Sequence, residues 1–116
     1  MQFICYSRCT TCHKAQRWLD EQAIDYQARD IKEQNPSYQE LKAWHLLSGL
    51  PLRRFFNTSG QLYRSMGLKD KLGSMGEEEQ LQLLASDGLL VKRPLLVQQD
   101  KVLVGFRQAE WEAALT

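Results

Sequence analysis

The hydrophobic period of this 116-residue chain changes twice, and few folds accommodate that. Gln2 to Tyr6 is a short apolar and aromatic run that reads as a buried strand. From Thr10 to Gln22 the apolar positions Cys12, Ala15, Trp18 and Leu19 recur at helical spacing. Ile24, Tyr26 and Ala28 then alternate with Asp25, Gln27 and Arg29, which predicts a half-buried strand. Such a strand–helix–strand unit should be parallel, with a right-handed crossover. The middle of the chain is helical throughout. Ser37-x-x-Glu40 is a capping-box signature ahead of Leu41, Trp44 and Leu47, and Gly49 and Pro51 stop that helix. Asn57-Thr58-Ser59-Gly60 is turn chemistry, and a short helix carrying Leu62, Tyr63 and Met66 should follow it and end at Gly67. Ser74-x-x-Glu77 predicts a second capping box before Leu81, Leu84 and Ala85, with Gly88 as the stop. Strand patterning returns in Leu95-Leu96-Val97 and Val102-Leu103-Val104, a hairpin around Gln99-Asp100, and Ala109 to Leu115 closes the chain as a helix. The expectation is one α/β domain over 1–116: a mixed sheet built as βαβ then ββα, with an all-helical insertion at about 32–90.

Composition narrows the function classes. Fifteen Lys+Arg against fourteen Asp+Glu leave a net charge of +1, so nothing marks a nucleic-acid or polybasic membrane binder. No apolar run approaches the ~20 residues of a membrane span, and Met1 to Tyr6 lacks the pattern of a signal peptide. A cytoplasmic protein is expected.

All three cysteines, Cys5, Cys9 and Cys12, lie in the first twelve residues. A disulfide scaffold would scatter an even number along the chain, so clustering points to redox chemistry or metal. Cys9-Thr10-Thr11-Cys12 stands where the first strand meets the first helix. Unpaired N–H groups and the positive end of the helix dipole favour a thiolate at Cys9, and Arg8 and Lys14 add to this. Cys12, one turn on, is placed to attack a mixed disulfide formed at Cys9. Cys9 is therefore the nucleophile and Cys12 the resolving thiol. Cys5, inside an apolar strand, reads as core.

The competing readings are weaker. Free cysteines often act as small packed hydrophobes, but Cys9 sits in a polar, basic loop. Cys5, Cys9, Cys12 and His13 could supply metal ligands, yet structural zinc sites usually draw on two separated segments, and no metal is expected. The spacing Cys5-x₃-Cys9-x₂-Cys12 also matches the cluster triplet of radical S-adenosylmethionine enzymes, whose barrel a chain this short cannot build. His13, His45 and the tryptophans Trp18, Trp44 and Trp111 read as surface or packing residues.

With Cys9-Thr10-Thr11-Cys12, Arg93-Pro94 and Gly105-Phe106, the sequence resembles the arsenate reductase–Spx family over its whole length. Leu50 to Gly60, Leu84 to Gly88 and Lys92 to Pro94 resemble the small reductase-like proteins of its Spx/MgsR group. The resemblance implies a thioredoxin-like fold, with Cys9 as reactive thiol and Cys12 as the second cysteine of a switch. It implies oxyanion contacts from Arg93 and Arg107, a neutral Asn57 where the reductases carry a third arginine, and a cis Pro94 facing the active site. Cys5 stands where those reductases carry a histidine. No bound cofactor is implied; an external thiol reductant such as glutaredoxin, thioredoxin or a low-molecular-weight thiol is. The substrate would be a small oxyanion or a disulfide. The alternative is a redox-switched regulatory module whose partner is RNA polymerase.

Overall fold

The computed structural model describes residues 1–115. Its elements are β1 (Gln2–Cys5), α1 (Thr10–Glu21), β2 (Gln27–Asp30), α2 (Tyr38–Ser48), α3 (Gln61–Ser65), α4 (Leu68–Lys71), α5 (Glu77–Ser86), β3 (Leu95–Val97), β4 (Val102–Val104) and α6 (Gln108–Leu115), with 3-10 turns at Leu52–Phe55, Leu72–Ser74 and Gly88–Leu90. The sheet order is β2-β1-β3-β4. β1 and β2 are parallel, with Gln2 opposite Gln27, whereas β3 runs antiparallel to both β1 and β4. This mixed βαβ–ββα sheet is thioredoxin-like.

Strand alternation sorts the core into two faces. Phe3 and Leu96 point to one side, where Ala15, Trp18 and Leu19 of α1 and Trp111 of α6 cover them. Ile4, Leu95, Val102 and Val104 point to the other, beneath Leu41 and Trp44 of α2, Leu81 and Leu84 of α5, and the turns between. Among the described residues between β2 and β3 there is no strand, only helices, turns and short connections with an isolated bridge from Phe56 to Val91. The Asn57 N–H to Leu90 carbonyl (2.8 Å) and Lys92 N–H to Phe55 carbonyl (2.7 Å) bonds flank that bridge and tie the insertion to the approach of β3.

Four expectations are corrected. The second strand is not Ile24 to Arg29 but Gln27–Asp30. Ala23 adopts a left-handed φ of 54°, and the Ile24 N–H bonds the Leu19 carbonyl at 3.0 Å, so Ile24 belongs to the turn that ends α1. Leu47 is exposed (42%), because α2 buries only Leu41 and Trp44 fully. The second capping box does not form: Ser74 sits in a 3-10 turn with its hydroxyl on the Lys71 carbonyl, and α5 starts from Gly76 without a side-chain cap. The first box is complete, Ser37 Oγ accepting from the Glu40 N–H and the Glu40 carboxylate from the Ser37 N–H. Finally, the first strand ends at Cys5 rather than Tyr6, because Tyr6 turns its N–H toward a cysteine.

Candidate active site at the Cys9–Cys12 turn

Cys9 is the N-cap of α1. Its backbone is extended (φ −96°, ψ 116°), and its Sγ accepts the Cys12 N–H at 3.3 Å. A sulfur thus takes the place of a capping oxygen, on one of the donors a helix start leaves open. The turn is held from below by the Cys9 N–H on the Tyr6 carbonyl (3.0 Å), and the His13 ring bonds the Ser7 carbonyl (2.7 Å). Cys9 is half-buried, whereas Cys12 is buried at 2% exposure. The Cys12 Sγ accepts the Tyr6 N–H at 3.4 Å.

Burial is the main force pushing the Cys12 thiol well above its ordinary range; the Tyr6 N–H opposes this, and the nearby Cys9 and Cys5 reinforce it. Cys12 is therefore held as a thiol at neutral pH. Cys5 is half-buried, its thiol donating weakly to the Arg29 carbonyl at 3.9 Å. Burial raises it as well, with Asp30 and Cys9 adding in the same direction. All three cysteines are free. Among the described residues no cluster of three or more His, Cys, Asp or Glu side chains could hold a metal ion.

The other residues singled out in the sequence fall into two places. Arg93 and Asn57 line one pocket of about 410 Å³ together with Tyr6, Gln61 and Leu62. The Arg93 guanidinium lies 5.0 Å above the Tyr6 ring, its Nη1 donates to the Leu89 carbonyl at 3.2 Å, and its Nε is buried without a partner. Asn57 is 8% exposed and works for the turn: its Oδ1 accepts from the Ser59 hydroxyl (3.4 Å) and its carbonyl from the Gly60 N–H (3.0 Å). A Cβ on Gly60 would stand 2.5 Å from the Asn57 amide nitrogen, so a side chain there would displace the Asn57 amide. Pro94 is buried after a cis peptide bond, and its carbonyl accepts the Gly105 N–H at 2.9 Å. Arg107 is exposed just before α6 and is not among the residues lining the pocket. Arg8 and Lys14 are exposed as well.

Sequence reasoning missed Tyr6. It touches both cysteines through its backbone and Arg93 through its ring, and it joins thiol pair and pocket. Nothing in a strand-like run of residues signals a donor aimed at a sulfur six residues on, in the first turn of the next element.

The model of the ArsC family matches residues 5–114. The protein YusI of Bacillus subtilis is 51% identical over 97% of this chain and 95% of its own length. The crystal structure of an ArsC family related protein from Bacteroides fragilis is 54% identical, covers 97% of this chain and 94% of that one, and superimposes with a TM-score of 0.95. A structure from Streptococcus mutans UA159, described as that of a possible arsenate reductase, is 47% identical over 98% of this chain and 97% of its own, with a TM-score of 0.90. Regulatory relatives are more distant: MgsR of Bacillus subtilis is 28% identical over 95% of this chain and 86% of its own length. With a family model spanning nearly the whole chain and structures that superimpose this closely, the chain belongs to the ArsC family.

Proposed function

We propose that this protein is a thiol-disulfide oxidoreductase of the arsenate reductase-like type, with Cys9 as nucleophile and Cys12 as resolving thiol. The observation that carries the reading is the Cys9 sulfur capping α1 on the N–H of the buried Cys12. The Cys9 thiolate attacks one sulfur of a disulfide substrate; an S–S bond forms at Cys9 and the first thiolate leaves. Cys12 then loses its proton to that departing thiolate or to water and attacks Cys9. The Cys9–Cys12 bond forms, the second substrate thiolate leaves, and two electrons have passed to the substrate. The Tyr6 N–H on the Cys12 sulfur stabilises the charge that develops there in this second step. An external reductant of the thioredoxin, glutaredoxin or low-molecular-weight thiol class, as in a reducing cytoplasm, restores the pair.

Arg93, with its unpartnered Nε, and Arg107 are the proposed contacts for an anionic substrate, beside Pro94. Arsenate is the weaker substrate on this reading. Asn57 offers no charge, and a lost charged hydrogen bond costs roughly 1.5–3 kcal/mol, about 10- to 150-fold.

The test is reductant-dependent turnover of a model disulfide, with peptide mapping of the products, for wild type, Cys9→Ser and Cys12→Ser. Cys9→Ser should abolish turnover, and Cys12→Ser should accumulate a mixed disulfide at Cys9. A wild-type chain that forms the Cys9–Cys12 disulfide, turns over nothing and captures RNA polymerase would replace the enzyme reading with the regulatory one.

A further inference from the structure

Cys5 takes no part in the exchange between Cys9 and Cys12, yet the fold brings it to the same place. Alternate side chains of β1 share a face, so Cys5 lies on the side of Phe3 and packs against the Phe3, Ala15, Trp18 and Trp111 cluster beneath α1. Cys12 belongs to the buried stripe of α1, with Ala15, Trp18 and Leu19, and that stripe covers the same side of the sheet. Both cysteines therefore point into the junction of β1 and α1.

One hydrogen bond fixes how close they come. The Tyr6 N–H, in the peptide unit that follows the Cys5 Cα, donates to the Cys12 sulfur at 3.4 Å. Across that one peptide unit, the Cys5 Cα is left at most about 6 Å from the Cys12 sulfur. A cysteine side chain with an S–S bond of ~2.05 Å spans most of that distance, so pairing needs a new rotamer and little backbone movement. The weak 3.9 Å bond from the Cys5 thiol to the Arg29 carbonyl is easily given up. Cys12 is thus flanked by two sulfurs, Cys9 across the first turn of α1 and Cys5 at the end of β1.

We infer that Cys5 is a third redox thiol, which attacks the Cys12 sulfur of a Cys9–Cys12 disulfide and passes the bond inward to Cys5–Cys12. The inference rests on the exchange proposed above. Cys5 gives its proton to solvent, and its thiolate displaces Cys9 from Cys12. One S–S bond forms as another breaks, with no net oxidation. Cys9 leaves as a thiolate at the start of α1, where the Cys12 N–H meets its charge. Burial, with Asp30 and Cys9 adding to it, pushes the Cys5 thiol up, so little of it is thiolate at neutral pH and this step follows the first one slowly. The result is an oxidised chain whose nucleophile is free again and able to attack a second disulfide.

One equivalent of diamide leaves a single thiol per chain, and the position of that thiol is the readout. The full-length chain is oxidised in this way, quenched at intervals with N-ethylmaleimide and digested with trypsin, which cuts after Arg8 and separates Cys5 from the other two. The Cys9–Cys12 loop should appear first, with the maleimide on Cys5. A cross-link from Cys5 to Cys12 should then grow, with the maleimide on Cys9, to at least about one tenth of the oxidised chain, a pairing within tenfold of the first. Cys5→Ser and Cys5→Ala should stop at the loop and show no free Cys9. A wild-type loop that persists for hours with less Cys5–Cys12 than this overturns the inference and leaves the Cys9–Cys12 exchange standing. Cys5 joined chiefly to Cys9 does the same. Chains in which the loop never forms overturn both.

Discussion

The two faces of the sheet are built by different means. The face under α1 and α6 is small and aromatic, and it centres on one residue: Trp111 meets Phe106 (4.9 Å), Phe3 (6.3 Å) and Trp18 (6.4 Å) edge-on, while its Nε1 donates to the Gly105 carbonyl at 3.0 Å. The face under the insertion is larger and mostly aliphatic, assembled from helices as short as four residues and from 3-10 turns. Short helices contribute little stability of their own, so that face depends on many small burials, none of them central. Damage should therefore be concentrated on one face and diluted on the other.

The sharpest way to break this contrast is at the joint between the halves. Gly88 packs against the end of β2, where an added Cβ would lie 2.0 Å from the Ile31 carbonyl oxygen. Backbone must move to admit it, so Gly88→Ala should lower stability by roughly 5 kcal/mol, read from chemical denaturation. Next, Trp111→Ala should cost roughly 4 kcal/mol and Leu72→Ala, in the insertion, only about 2 kcal/mol. Equal losses from the two truncations would show that the faces share load evenly.

A smaller effect separates the halves by pH. Arg29, at the edge of the sheet, holds Glu40 of α2 through paired bonds of 2.7 and 2.9 Å and stacks 5.7 Å over Trp44. Those bonds, ahead of the opposing burial, pull the Glu40 carboxyl down to about 2 from an ordinary 4.5. Because the folded value is depressed, this contribution is whole above pH 4.5 and fades as pH falls from there toward 2. With a third of Glu40 exposed, screening limits it to about 1 kcal/mol. Glu40→Gln should therefore unfold more easily than wild type at pH 7, and the gap should narrow below pH 4.5 and close only near pH 2. A gap constant with pH would assign the loss to the capping box instead.

The same contrast explains what could be read from residues alone. The strand-forming ends were legible because alternation has one solution when both faces are buried: Phe3 and Ile4, like Leu95 and Leu96, can only point apart. The cysteine turn was legible because Cys9 and Cys12 are neighbours along the chain, and a helix alone brings them together. The insertion was legible as helix but not in detail. Ser74 satisfies the pattern of a cap, yet its hydroxyl is taken by the Lys71 carbonyl, and Leu47 keeps the period of a core residue while facing solvent. In both cases local rules are overruled by packing between segments distant in sequence. Arg93 and Asn57 share a pocket for the same long-range reason, which only the resemblance to a known family anticipated.

Tyr6 carries two messages in one codon, and they are written in different parts of the residue. Its main chain donates to the Cys12 sulfur and accepts the Cys9 N–H, and any amino acid except proline can deliver both. Its ring addresses Arg93, and only an aromatic can. Substitution at this position therefore acts as a selective editor: Phe preserves both, Leu or Ala releases the arginine while the sulfurs keep their donors, and proline silences the Cys12 bond. A side-chain change at position 6 can therefore alter the Arg93 contact while the main-chain bonds to Cys9 and Cys12 stay in place.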